Sequence, residues 1–166
     1  AEIDAQRALQ LAGDGRSRPA TRTRRSFHES LTAAELFLMR ELSGKRVLVT
    51  GAARGIGRHT ARAFAKQGAQ VILADLDPET AAVTAEEFRA SGLRAEHAAV
   101  DVTDSASILQ LRDDVHAAGG PIDVLVNNAG VVFGGPVLDV PLEKHRLTYR
   151  VNTLGLVAVT HAFLPD

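Results

Sequence analysis

Residues 50–57, Thr-Gly-Ala-Ala-Arg-Gly-Ile-Gly, are the first set in this chain able to do chemistry together. A short apolar run precedes them and a helical pattern follows. The first N–H groups of a helix have no partner within it and sit at the positive end of its dipole, so the turn is an anion site. A pyrophosphate can reach that end only if no Cβ stands in the way, which is the use of Gly51, Gly55 and Gly57. The spacing is G-x3-G-x-G, not the commoner G-x-G-x-x-G, and a plain strand-to-helix turn uses glycine as well. Asp75 closes the next apolar run. A carboxylate there can accept hydrogen bonds from both hydroxyls of an adenosine ribose and would repel a 2′-phosphate, which favours NAD over NADP. Leu76 follows where a base would be expected for NADP. Arg54 pulls the other way, since it can meet a phosphate; in its plainer role it is a solvated arginine that strengthens the general attraction. Asp101 closes a third run, where it can accept from an adenine amino group or serve as a turn aspartate.

These residues need a frame that brings the ends of several strands together. Val47, Leu48 and Val49 read as a strand buried on both faces. The helix after the glycine turn is expected to face inward through Ile56, Thr60, Ala63 and Phe64 and to end at Gly68. Residues 70–74 form a second buried strand. Asp77 and Pro78 supply an N-cap and a first-turn proline for a helix to about Ala90, with Ala81, Ala85 and Phe88 inward. Residues 94–100 are a weaker third strand. Asp104 caps a helix with Ile108, Leu111 and Val115 on one face, stopped by Gly119, Gly120 and Pro121. Residues 122–126 are a fourth strand, followed by Asn127-Asn-Ala-Gly130. A looser stretch runs to Pro141, and a long helix is expected over 142–164. Strands that alternate with helices and lack tight hairpins run parallel, with right-handed crossovers. The fold class is therefore α/β, a doubly wound parallel sheet of the Rossmann type, truncated after the fourth strand and the long helix. Its crevice lies at the carboxyl ends of the strands, where Thr50, Asp75, Asp101 and Asn127 all fall.

Composition narrows the alternatives. Hydrophobic residues make up 45% of the 166 and charged residues 23%, enough for a globular core. The net charge of −1 offers no global attraction for nucleic acid or membrane. Cysteine is absent, which excludes disulfides, thiolate metal sites and a cysteine nucleophile. The six histidines, at 28, 59, 97, 116, 145 and 161, have no i, i+4 pair, so no metal site is expected. No apolar run approaches the ~18 residues of a membrane span. No signal peptide is visible, and a cytoplasmic protein is expected.

Residues 1–43 are set apart as an N-terminal extension from the domain over 44–166. Within it, 13–25 carry five arginines with glycine and proline, a flexible, solvated linker or else a basic arm for an acidic partner. Thr32-Ala-Ala-Glu35 reads as a capping box, and Leu36, Phe37, Met39 and Leu42 follow it in a short helix ending near Gly44.

Together, Thr50 to Gly57, Asp75, Asp101-Val102, Asn127 to Gly130 and Asn152 resemble the short-chain dehydrogenase/reductase family, in its order and near its spacing. The resemblance covers about residues 44–166. It implies that the glycine turn (Thr50, Gly51, Arg54, Gly55, Ile56, Gly57) holds the pyrophosphate of a nicotinamide dinucleotide and that Asp75 with Leu76 selects NAD, NADP being the lesser alternative. It implies that Asp101 and Val102 contact adenine, and that Asn128, Ala129 and Gly130 brace the sheet and line the cleft. Asn152 matches the asparagine whose main chain holds a water in the catalytic proton relay. Asn127 to Gly134 and the ending Thr160 to Pro165 resemble the branch that oxidises retinol, steroids and other lipophilic alcohols.

One departure is large. The family's chemistry uses a serine, a tyrosine and a lysine four residues after the tyrosine; the lysine lowers the tyrosine pKa so that tyrosinate takes the alcohol proton. Here Tyr149 is the single tyrosine, Thr153 stands four residues later, and no lysine follows Lys144. Tyr149 is therefore read as a helix residue. The expectation is the cofactor half of an NAD-dependent dehydrogenase acting on an alcohol or carbonyl, inactive by itself. The alternative is a noncatalytic nucleotide-binding or scaffold protein of the same fold. Beyond Asn152 the apolar residues spill round the long helix, and Leu156, Val159 and Phe163 are expected on a second face that pairs subunits into a homodimer or homotetramer.

Overall fold

A computed structural model of the chain describes residues 42–164. The expectations for the extension before Leu42 lie outside them. Among the described residues four strands form one parallel sheet in the order β3-β2-β1-β4: β1 Arg46–Thr50, β2 Gln70–Asp75, β3 Arg94–Ala99 and β4 Val124–Val126. The central strand β1 pairs on both sides, with Val49 opposite Leu73 and Val126. The chain moves outward from β1 to β3, then crosses back to lay β4 on the other side of β1. That reversal makes the crevice beyond the carboxyl ends of β1 and β4 a topological switch point, where doubly wound sheets bind their ligands.

Helices cover both faces. α1 (Gly55–Lys66) and α2 (Pro78–Ala90) pack on one, α3 (Ser105–Gly119) on the other. The alternation of a strand divides the apolar runs between them. Val47, Val49, Val71 and Leu73 join Ala61, Ala65, Ala85 and Phe88. Leu48, Ile72 and Ala74 join Ile108, Leu111, Val115, Val159 and Phe163. The amino end of the sheet is tied differently. Arg46 is 8% exposed, and its guanidinium donates to the carbonyls of Val115, Gly120 and Pro121 around the end of α3. No helix among the described residues is long and apolar enough to cross a membrane.

Three expectations are corrected. α1 turns inward through Gly57, Ala61 and Ala65 with Phe64 half-buried, while Ile56 is 79% exposed and Ala63 is also exposed. The helix approaches β1 so closely at Gly57 that the whole inner face is set from that residue. The fourth strand is shorter than 122–126 and only half-buried, because β4 has a neighbour on one side alone. The long helix is not uniform. It runs as α4 (Leu142–Tyr149), a π-helical segment Arg150–Gly155 and α5 (Leu156–Phe163). A π turn holds more residues than an α turn, and six residues wound this way lag by roughly the 100° of one α-helical residue. The inward positions after it are Gly155, Val159, Ala162 and Phe163, one residue later than an unbroken α-helix would place them. Val159 and Phe163 are therefore core, not a second face, and Leu154 turns outward.

Candidate cofactor site

The crevice is a cleft of about 720 Å³. Twelve of the thirteen residues expected to hold a cofactor line it: Gly51, Arg54, Gly55, Ile56, Gly57, Asp75, Leu76, Asp101, Val102, Asn128, Ala129 and Gly130. The thirteenth, Thr50, lies beneath, 1% exposed. Its hydroxyl oxygen accepts from the N–H groups of Asn128 and Ala129, both at 3.1 Å. The Asn128 side-chain amide returns across the same gap, donating to the carbonyls of Thr50 at 2.9 Å and Gly51 at 3.0 Å. Asn128 thus closes the glycine turn from below and locks the end of β1 to the chain leaving β4. Asn127 faces the other way and donates to Thr160 Oγ1 at 2.9 Å.

The helix ends around the cleft are treated unequally. Asp77 accepts from the Thr80 N–H and caps α2; Asp104 accepts from the Ala106 N–H and caps α3. No side chain caps α1, and its first turn holds no acidic residue. Its first N–H groups have no partner within the helix. Gly55, at φ +58°, has nothing within 4 Å of where a Cβ would stand, so the space above the turn is open. An uncapped positive helix end facing an open cleft fits a pyrophosphate.

Asp75 is held in place before any ligand arrives. Its Oδ2 accepts from the Ala53 N–H at 2.9 Å and its Oδ1 from the Asp77 N–H at 3.1 Å. A carboxylate offers about four lone-pair sites, so acceptor capacity remains for ribose hydroxyls. Asp101 is half-committed: its Oδ1 accepts from the N–H and hydroxyl of Thr103 at 2.8 and 2.7 Å, leaving the second oxygen for an amino group. Leu76 and Ile56 are 72% and 79% exposed, apolar walls without a cover.

Asn152 lies in the π-helical segment, outside the cleft lining. Its side-chain amide forms a two-bond clamp with Val131, accepting from the backbone N–H and donating to the backbone carbonyl, both at 2.9 Å. The clamp fixes the chain after Gly130 to the helix. Gly155 brings the same helix within contact of Val102, where an added Cβ would stand 2.9 Å from the Val102 carbonyl oxygen. Asp77, Val100, Val131 and Val151 also line the cleft and were not expected there. Asp77 was legible only as a helix cap, and the three valines only as apolar neighbours of the named residues.

Residues 45–166 match the family model described as short chain dehydrogenase. The chain belongs to the short-chain dehydrogenase family. It is 40% identical over 128 residues to the oxidoreductase UcpA of Escherichia coli, covering 77% of this chain and 48% of that protein. A short-chain dehydrogenase/reductase from Burkholderia phymatum, solved with NAD, superposes with a TM-score of 0.71 at 33% identity, covering 75% of this chain and 44% of the other. A gluconate 5-dehydrogenase from Burkholderia cenocepacia, solved with NADP and tartrate, has the same TM-score at 35% identity, covering 77% and 51%. Against similar curated relatives the chain spans between 20% and 48% of their length. Of these two structural relatives, one is solved with NAD and the other with NADP.

Proposed function

We propose that the chain is the cofactor-binding portion of an oxidoreductase that interconverts an alcohol and a carbonyl with NAD as the preferred cofactor. The observation that carries this reading is the pairing of an uncapped α1 N-terminus with the fixed Asp75 carboxylate across one cleft. When bound, the nicotinamide supplies the hydride acceptor or donor. The first turn of α1 would hold the pyrophosphate, Asp75 the adenosine ribose and the second oxygen of Asp101 the adenine amino group. Ile56 and Leu76 would lose their exposure against the nucleotide, which accounts for apolar side chains at a solvent-facing wall. Asn128, in the cleft wall, and Asn152, outside it, fix the chain segments that shape the cleft.

Proton transfer has no agent in these residues. Tyr149 is 59% exposed, sits in α4 and has Thr153 where the family's lysine would stand. The chain by itself should therefore bind a dinucleotide without turning over alcohols, and the substrate would be set by residues beyond this portion. A lipophilic alcohol rests on the resemblance of 127–134 and 160–165 alone. Leu154, Leu156 and Val157, 50%, 45% and 57% exposed, are the surface through which self-association would occur. Calorimetric titration with NAD and NADP tests the reading: NAD should bind more tightly, and tighter NADP binding, or binding of neither, would overturn it.

A further inference from the structure

Among the described residues lining the cleft, Arg54 carries the only positive charge. Its guanidinium Nη2 donates to Asp77 Oδ2 at 3.1 Å. Asp77 is itself pinned. Its Oδ1 accepts from the Thr80 N–H at 3.0 Å and its Oδ2 from the Thr80 hydroxyl at 2.7 Å. Its own N–H donates to Asp75 Oδ1 at 3.1 Å. The Thr80 N–H and hydroxyl, with Arg54 adding to them, hold the Asp77 carboxyl below the ordinary carboxylate range, so it is charged at neutral pH. The more exposed partner of the pair is Arg54, whose side chain is 74% exposed against 37% for Asp77.

We propose that Asp77 is a positioning residue for cofactor choice: it draws the Arg54 guanidinium toward the start of α2 and sets a second negative charge beside Asp75, so that a ribose 2′-phosphate is disfavoured by more than Asp75 alone. The inference rests on the reading of the cleft as a nicotinamide dinucleotide site. An exposed ion pair is weak, so Arg54 would leave Asp77 for a phosphate dianion if nothing opposed that anion's approach. Asp75 and Asp77 both oppose it, and both are held still by backbone N–H groups, whereas Arg54 is not. Removing the Asp77 charge alone acts twice, by taking away one repulsion and by releasing the cation in place.

Asn caps a helix as well as Asp, so Asp77→Asn keeps the acceptor for the Thr80 N–H and drops the charge. Asp77→Ser is a second variant with the same property. The ligands are 5′-ADP and 2′,5′-ADP, which differ only by the 2′-phosphate, titrated calorimetrically into the purified chain. The expected result is that 2′,5′-ADP binds roughly fivefold more tightly to either variant, near the upper end for one exposed charge pair. Binding of 5′-ADP should stay within about twofold, and the gain should shrink in high salt. In an Arg54→Ala background the gain should fall to about twofold, the part left to direct repulsion. An unchanged ratio between the two ligands, or an equal gain without Arg54, overturns the proposal. Asp75→Ala separates the two levels of the argument. If it alters the preference and Asp77→Asn does not, the site reading stands and this inference falls. If the unaltered chain binds neither ligand, both fall.

Discussion

Replacing Gly57 by alanine sets helix propensity against packing. Gly57 lies in the first turn of α1, and by propensity alone alanine in a helix is better than glycine by about 1 kcal/mol. The structure reverses that sign. A Cβ on Gly57 would stand 2.2 Å from the Gly51 carbonyl oxygen and 2.5 Å from the Asn128 side-chain nitrogen. Neither can yield cheaply. The first is backbone at the end of β1, and the second donates to the carbonyls of Thr50 and Gly51. Overpacking of this kind costs about 1–3 kcal/mol, and displacing the amide forfeits roughly another 1–3 kcal/mol by leaving polar groups without partners. Net of the propensity gain, Gly57→Ala should lose about 1–5 kcal/mol of stability. Gly55→Ala is the comparison. It has φ +58° and nothing within 4 Å of an added Cβ, so it should lose only about 1–2 kcal/mol from backbone conformation. Its methyl group would stand over the helix end, however, and should weaken NAD binding more than stability. Urea denaturation followed by circular dichroism, with an NAD titration on each protein, gives the comparison. A Gly57→Ala chain as stable as the unaltered one, or a Gly55→Ala chain less stable than Gly57→Ala, would refute the reasoning.

Two further outcomes follow from polar contacts. Thr50→Val removes the acceptor for the Asn128 and Ala129 N–H groups and should cost about 2 kcal/mol or more, while Thr50→Ser keeps most of it; urea midpoints that coincide for the Val and Ser variants would contradict this. Asp123 accepts from Lys45 Nζ at 2.6 Å and from the Arg46 N–H at 2.8 Å, and these two hold its carboxyl below the ordinary value, Lys45 first. Its contribution is therefore complete above the unfolded carboxylate pKa of about 3.9 and is lost as pH falls through the lower folded value. Asp123→Asn should be less stable than the unaltered chain at pH 7, and the gap should close as pH falls below about 4 and through the lower folded value; a gap that persists at the acid end would place its origin elsewhere.

The continuous apolar runs of β1 and β2 were legible because both faces of a parallel sheet are covered, so every residue from Val47 to Val49 is buried whichever way it points. The helix ends were legible because Asp77, Pro78, Asp104 and Gly120 act through local geometry that needs no tertiary partner. The meeting of Thr50, Asp75 and Asp101 at one edge of the sheet was legible because the crossover rule sends the carboxyl ends of the strands there, whereas Asn127, at the same edge, turns away to Thr160. The π-helical segment was not legible, since Arg150 to Gly155 contain no residue whose local preference demands it. The wide turn is selected by contacts at a distance, with Gly155 against Val102 and Asn152 clamped to Val131. The Arg54–Asp77 pair was hidden for the same reason, because two separated turns meet only once β1 and β2 are in register.

Hydrophobic periodicity failed at Ile56 because it assumes that an apolar side chain seeks the nearest core. Ile56 sits one residue before Gly57, which must face β1, and one step of about 100° turns it toward the cleft. Leu76 is carried out in the same way, one residue past Asp75, whose carboxylate is taken by two backbone N–H groups. In both cases a polar or glycine residue with a geometric obligation dictates the orientation of its apolar neighbour. Departures from local rules gather at functional sites, and here they leave uncovered apolar walls beside a positive helix end and a fixed carboxylate. A flat heterocycle, a pyrophosphate and a ribose would meet those three features respectively, so the misread apolar residues support the same proposed ligand as the helix end and the carboxylate.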